Sequence, residues 1–221
     1  MEENDMKKSK RILAVLMIAT FCLIGTACFS GGSASNTQSS YIANEEEIAA
    51  AVEVLGTELS VMKVSIDGAI YSFPMNVQFL LDEGWTFPEE ILSEVDPYPA
   101  YTETMGVTMI RMDGEQEKEI SIVLMNESAE KIPVGEAMVT TYSADRYQKH
   151  KMILPGGLTW ASSIEDVKAA YGEPTTEGST GSEDTFMNTI LTYDYDSGSV
   201  RIGFKTENGE TKMTGVTFFN H

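Results

Sequence analysis

The hydrophobic positions toward the C-terminus alternate with polar ones. Leu191, Tyr193 and Tyr195 form one such set, and Val200, Ile202 and Phe204 form another. A period of two puts each set on one side of an extended chain, which predicts half-buried strands. Asp196-Ser197-Gly198 supplies a hairpin turn between them, and Asn208-Gly209 supplies another after the second. An earlier stretch reads the same way. Asp113-Gly114 is its turn, Ile120, Ile122 and Leu124 alternate after it, and Val134 to Tyr142 closes the run. Ahead of each set the period changes to that of a helix. GAIYSFPMNVQFLLDEG (Gly68 to Gly84) and GGLTWASSIEDVKAAYG (Gly156 to Gly172) have equal length and glycine at both ends. Asn76 suits an N-cap in the first, and Ser163 with Asp166 has capping-box spacing in the second. Gly84 and Gly172 suit the left-handed position that stops a helix. The apolar faces, Val77, Leu80 and Leu81 against Ile164, Val167 and Ala170, are short, so these helices need a sheet to lie on.

A leading strand is expected before each helix, at Leu59 to Ile66 and at Met152 to Leu154. The predicted unit is strand, short helix and three-stranded antiparallel meander, used twice, over residues 59–146 and 147–221. One unit cannot bury both faces of its own helix and sheet. Two together can share a core, which predicts an α+β fold with the helices packed on one face of the sheet. Before them, NEEEIAAAVEVLG (Asn44 to Gly56) reads as an acidic helix, capped by Asn44 with Glu47 and stopped by Gly56; residues 44–58 are either docked or a stalk. Ser30 to Ser40, SGGSASNTQSS, has no apolar periodicity and reads as a flexible linker within residues 28–43.

The N-terminus changes the picture. Lys7, Lys8, Lys10 and Arg11 precede an uncharged run from Ile12 to Gly25. A permanent membrane helix needs roughly 20 residues, so the run suits the apolar region of a signal peptide over residues 1–27. A start at Met6 instead of Met1 would remove the acidic residues that signal peptides avoid. Gly25-Thr26-Ala27-Cys28 resembles the bacterial lipoprotein signal, although Gly25 stands where that family usually has leucine. The resemblance implies that Cys28 is acylated and becomes the mature N-terminus. A single acyl chain holds a protein marginally, and two anchor it stably. Cys22 would leave with the signal, so the mature chain would hold no internal disulfide. The expected location is the outer face of the bacterial cytoplasmic membrane. The net charge of −19 argues against nucleic acid and against docking on anionic lipid by charge.

GGLTWASSIEDVKAAYGEPT (Gly156 to Thr175) resembles the repeats of β-lactamase-inhibitory-protein-like domains and is similar to small lipoproteins that help assemble bacterial outer membranes. The likeness is carried by the glycine, the short capped helix and Tyr171-Gly172-Glu173-Pro174, with the meander to Phe219 in support. In the first copy Gly84 is followed by Trp85, Thr86, Phe87 and Pro88, so the proline is displaced. The resemblance implies a protein-binding α+β domain, with helices on one face of an antiparallel sheet and the other face open to a partner. The layout is also similar to lipoproteins of Gram-positive anaerobes.

Candidate chemistry is sparse. The two histidines are His150, set among basic residues that would disfavour a protonated ring, and the terminal His221. No zinc-protease helix motif, paired Cys-x-x-Cys or phosphate loop is present, so neither a catalytic residue, a metal site nor a cofactor is expected. Asp194 to Gly198 has a superficial likeness to a calcium loop but lacks the later ligands, and a hairpin turn explains it better. Asn126-Glu127-Ser128 is a glycosylation sequon without meaning in a bacterial lipoprotein. Trp85, Phe87, Tyr98 and Tyr101, in a segment stiffened by Pro88, Pro97 and Pro99, have the composition of a recognition loop. If they form one, Trp85 and Tyr98 are exposed and cluster; if they plug the sheet edge, both rings are buried. Trp160 is expected in the core. The expected function is a lipid-anchored, non-catalytic module binding a protein or envelope component. The alternatives are an inhibitor of an envelope or secreted enzyme, marked by a projecting hairpin such as Met112 to Glu115, and a hydrolase built on facing carboxylates.

Overall fold

A computed structural model describes residues 41–103, 106–182 and 186–220. Helix α1 (Glu45–Leu55) starts at the expected capping box, with the Asn44 side chain accepting from Glu47 N–H and the Glu47 carboxylate accepting from Asn44 N–H, each at 2.9 Å. It is docked: Ala51 and Leu55 are buried with Ala43 and Ile153 in a small core of their own. The folded part begins earlier than composition indicates, because Ala43 is buried and the Tyr41 ring lies 5.7 Å from the Arg146 guanidinium.

The expected leading strand Leu59 to Ile66 divides into a 3-10 turn (Leu59–Val61) and strand β1 (Lys63–Ile66). A tight hairpin through Asp67 and Gly68, both at positive φ, joins β1 to β2 (Ala69–Ser72). Two residues with positive φ match the right-handed twist of the strands they connect. Then follow β3 (Met75–Asn76), α2 (Val77–Asp82), α3 (Glu89–Val95) and β4 (Thr102–Glu103). Asn76 stands at the N-cap of α2 without a side-chain capping bond. Strands β5 (Val107–Asp113), β6 (Gln116–Asn126) and β7 (Met138–Asp145) make an antiparallel meander. After β8 (Met152–Ile153) comes α4 (Ile164–Tyr171), with the full capping box between Ser163 and Asp166. The chain ends in β9 (Thr176–Ser182), β10 (Phe186–Tyr195), β11 (Gly198–Glu207) and β12 (Glu210–Asn220).

These elements form an α+β structure dominated by antiparallel sheet. The large sheet runs β4-β6-β7-β12-β11-β10-β9, with β5 also on β6 and β3 also on β7. Its centre is the pairing of β7 with β12, from Asp145 opposite Gly215 to Thr141 opposite Phe219. A second sheet has the order β2-β1-β8. Alternation decides what is buried. Met109, Ile120, Ile122, Tyr142, Phe218, Ile202 and Leu191 point inward from successive strands of the large sheet. They share one core with Val64 and Ile66 of β1, Val77 and Leu80 of α2, and Val167 of α4. Trp160 is fully buried there, its indole donating to the His150 carbonyl at 2.7 Å. The Tyr142 hydroxyl is buried with no hydrogen-bond partner among the described residues, and burial raises its phenol well above the ordinary range.

Candidate functional site

The aromatic recognition loop is overturned. Trp85, Phe87 and Tyr98 are 1%, 3% and 1% exposed, and all three belong to the main core. The Trp85 indole donates to Tyr71 Oη at 2.9 Å, and the Tyr98 hydroxyl donates to the Leu124 carbonyl at 2.9 Å. Burying so much aromatic surface stabilises the fold more than display to solvent would. Tyr101 alone is exposed, at 74%. Cys28 lies outside the described residues.

What the structure does assemble is a charged network centred on Asp67. Its carboxylate accepts from Arg111 Nη2 at 2.8 Å, His150 Nδ1 at 2.9 Å, Lys118 Nζ at 3.0 Å and the Lys151 backbone N–H at 2.9 Å. Burial by itself would push the Asp67 carboxyl up. The hydrogen bonds from His150, Lys151 and Lys118 outweigh it and hold the group well below the usual carboxylate range. The second imidazole nitrogen, Nε2, lies 2.9 Å from the Glu119 carbonyl oxygen. Both nitrogens therefore face acceptors, and both bonds form only when each nitrogen carries hydrogen. The Lys151 ammonium turns away to Glu47. His150 is fully buried and both its nitrogens are engaged, so it has no free position from which to take a proton. Arg111 also lies over the Trp85 ring at 4.5 Å, tying the network to the aromatic core.

This network was legible in two signals. Asp67-Gly68 between apolar runs is a hairpin turn. Lys118 sits in phase with the inward residues Ile120, Ile122 and Leu124, and a cation on a buried phase calls for a buried partner.

Beside the network lies a cleft of about 590 Å³. One wall is α1, through Glu47, Ala50 and Val54; β1 and β2 contribute Ser65 and Ile70; Asp113, Lys118, Lys149 and Lys151 supply charge. Lys118 also holds Asp113 at 2.7 Å, which lowers that carboxyl below its ordinary value. The hairpin tip carries Met112 at 59% exposure. Asp194 to Gly198 forms the β10–β11 hairpin, and among the described residues no group of acids, histidines or cysteines is arranged to hold a metal.

The other feature is the outward face of the large sheet. Ser121, Ser143 and Thr217 line a shallow depression of about 270 Å³ across β6, β7 and β12, with Gly215 beside them. Ser143 donates to Thr217 Oγ1 at 3.0 Å across the central seam. Comparison of the chain with protein-family models, curated proteins and solved structures gives no match. Among the described residues no helix is long and apolar enough to cross a membrane.

Proposed function

We propose that this chain is a lipid-anchored extracytoplasmic binding module of the bacterial cell envelope, attached through acylated Cys28 and holding a protein partner against the outward face of its large sheet. The observation that carries this reading is the asymmetry of the sheet. Its inward side chains are buried in a single core, while on the other face Ser121, Ser143, Thr217, Gly203 and Gly215 keep the surface short and polar, flanked by Arg201 stacked over Phe219 at 4.4 Å. Small polar residues let a partner's backbone or side chains approach closely with little conformational entropy lost on the sheet side. The doubled plan supports the same reading. Strands β5-β6-β7 meet β12-β11-β10 in mirror order, and the two strands preceding the repeats, β1 and β8, pair with each other. The anchor rests on the lipoprotein-like Gly25-Thr26-Ala27-Cys28.

The hydrolase alternative has less support. A carboxylate pair acting as acid and base needs one member held protonated. Two carboxyls of the cleft, Asp67 and Asp113, are both lowered and share one ammonium. An inhibitory role is favoured only by the exposed Met112 at the β5–β6 tip. Affinity capture from native membranes separates these readings. Thr217→Arg, which puts a long cation on the open face, should abolish recovery of the partner while leaving the fold intact, and Met112→Ala should not. Recovery unaffected by Thr217→Arg would remove the sheet-face reading. Mass analysis of the mature N-terminus should find diacylglycerol on Cys28.

A further inference from the structure

The cleft between α1 and the β5–β6 hairpin is a second surface, lined by residues other than those of the open sheet face. It combines an apolar wall with a cluster of lysines. Its α1 wall is apolar, with Ala50 and Val54, the latter 57% exposed, and Ile70 continues it below. Facing that wall are Lys118, Lys149 and Lys151, three of the fifteen Lys and Arg residues in a chain of net charge −19. Lys118 is committed to Asp67 and Asp113, and Lys151 is shared with Glu47 while its side chain stays 37% exposed. Lys149 is exposed and forms no ion pair among the described residues. Its backbone is left-handed, at φ 57, a conformation lysine seldom adopts, held by its N–H donating to the Arg146 carbonyl at 3.0 Å. The strained turn brings an unspent cation to the rim of an apolar hollow.

We propose that this cleft binds a small amphipathic monocarboxylate, its carboxylate between Lys149 and Lys151 and its apolar body along Ala50, Val54 and Ile70. The three carboxylates in the same cleft set the charge limit. Glu47, Asp67 and Asp113 offset most of the lysine charge, so the cleft fits a single negative charge better than two. The volume of about 590 Å³ falls in the range of small-molecule sites.

The test uses the full mature chain and three probes followed by amide chemical shifts. N-acetyl-leucine carries the carboxylate and the apolar body. N-acetyl-leucinamide lacks the charge, and inorganic phosphate lacks the apolar body. N-acetyl-leucine should shift cleft amides saturably. The amide should bind about tenfold or more weakly, the factor expected from losing one charge-assisted contact, and phosphate should leave the cleft unmoved. Lys149→Gln and Val54→Asp each should weaken N-acetyl-leucine by about tenfold. Both positions are exposed, so their melting temperatures should match the parent. No saturable shift in the cleft, equal binding of the amide, phosphate binding at the same residues, or affinity unchanged in Lys149→Gln would each overturn the proposal. Capture of a protein through the sheet face would stand or fall separately.

Discussion

Two segments leave a glycine-stopped helix and return to the large sheet, and they are held by different forces. After α2, residues 84–101 bury Trp85, Phe87, Val95 and Tyr98, form α3, and bridge once to the sheet at Thr86–Ile110 and once to the β6–β7 loop at Tyr98–Ile132. After α4, every residue of β9 is exposed, yet the strand runs in continuous register along β10, from Ser182 opposite Phe186 to Thr176 opposite Thr192. The first segment is fastened by side chains and the second by backbone. Aromatic burial and a peptide ladder are therefore alternative ways to close the same gap between helix and sheet.

The largest expected effect breaks the first segment. Trp85→Ala should cost about 3 to 5 kcal/mol in chemical unfolding, from lost burial and the cavity left behind. A cost below 1 kcal/mol would mean that side chains are not what holds it.

Asp67→Asn attacks the charged collar over Trp85. Asparagine tolerates the positive φ at this turn, so the change isolates the charge. It leaves Lys118, His150 and Arg111 facing a neutral group, and should cost about 3 to 5 kcal/mol near neutral pH. The sign of the pH dependence follows from the lowered carboxyl. Its contribution is fully present above the unfolded value, near pH 4, and is lost as pH falls toward the folded value. The gap between wild type and variant should narrow below about pH 4. A gap that widens there would contradict the assignment.

The second segment should respond to backbone instead. Gly181 has φ +122, and a Cβ there would come within 2.2 Å of the Phe186 carbonyl oxygen. Gly181→Ala should cost about 1 to 2 kcal/mol, or free β9 from β10 as read by amide exchange. Tyr142→Phe, which deletes an unpartnered buried hydroxyl in the core shared by both regions, should add about 1 kcal/mol. Smallest of all, Gly178→Ala, where a Cβ meets nothing within 4 Å, and Tyr101→Ala should each stay within about 0.5 kcal/mol.

The same contrast shows what was readable in the chain. Alternation located β6, β10 and β11, the Asn208-Gly209 turn implied β12, and the capping boxes of α1 and α4 were found because their partners are three residues apart. Helix α3 was missed, since the prolines around EEILSEV suggested only a loop. So was β9: glycine, serine and threonine in TEGSTGS carry no apolar period, and its register is set by β10. The aromatic segment was recognised as important and assigned to the wrong environment, because composition alone does not distinguish a ring that binds a partner from one that fills a core. The Asp67 network joins residues as far apart as Asp67 and Lys151, and only the pairing of β1 with β8 brings them together.

The account rests on one interior shared across the β7–β12 seam. Trp85 lies in the half before Arg146 and Trp160 in the half after it, and both are buried. Equilibrium unfolding of the mature chain, with Trp85→Phe and Trp160→Phe used in turn so that each remaining indole reports its own half, tests this directly. Within each variant, fluorescence and far-ultraviolet circular dichroism should trace one coincident transition. Two separated transitions, with one indole released while the other half keeps its sheet signal, would contradict it.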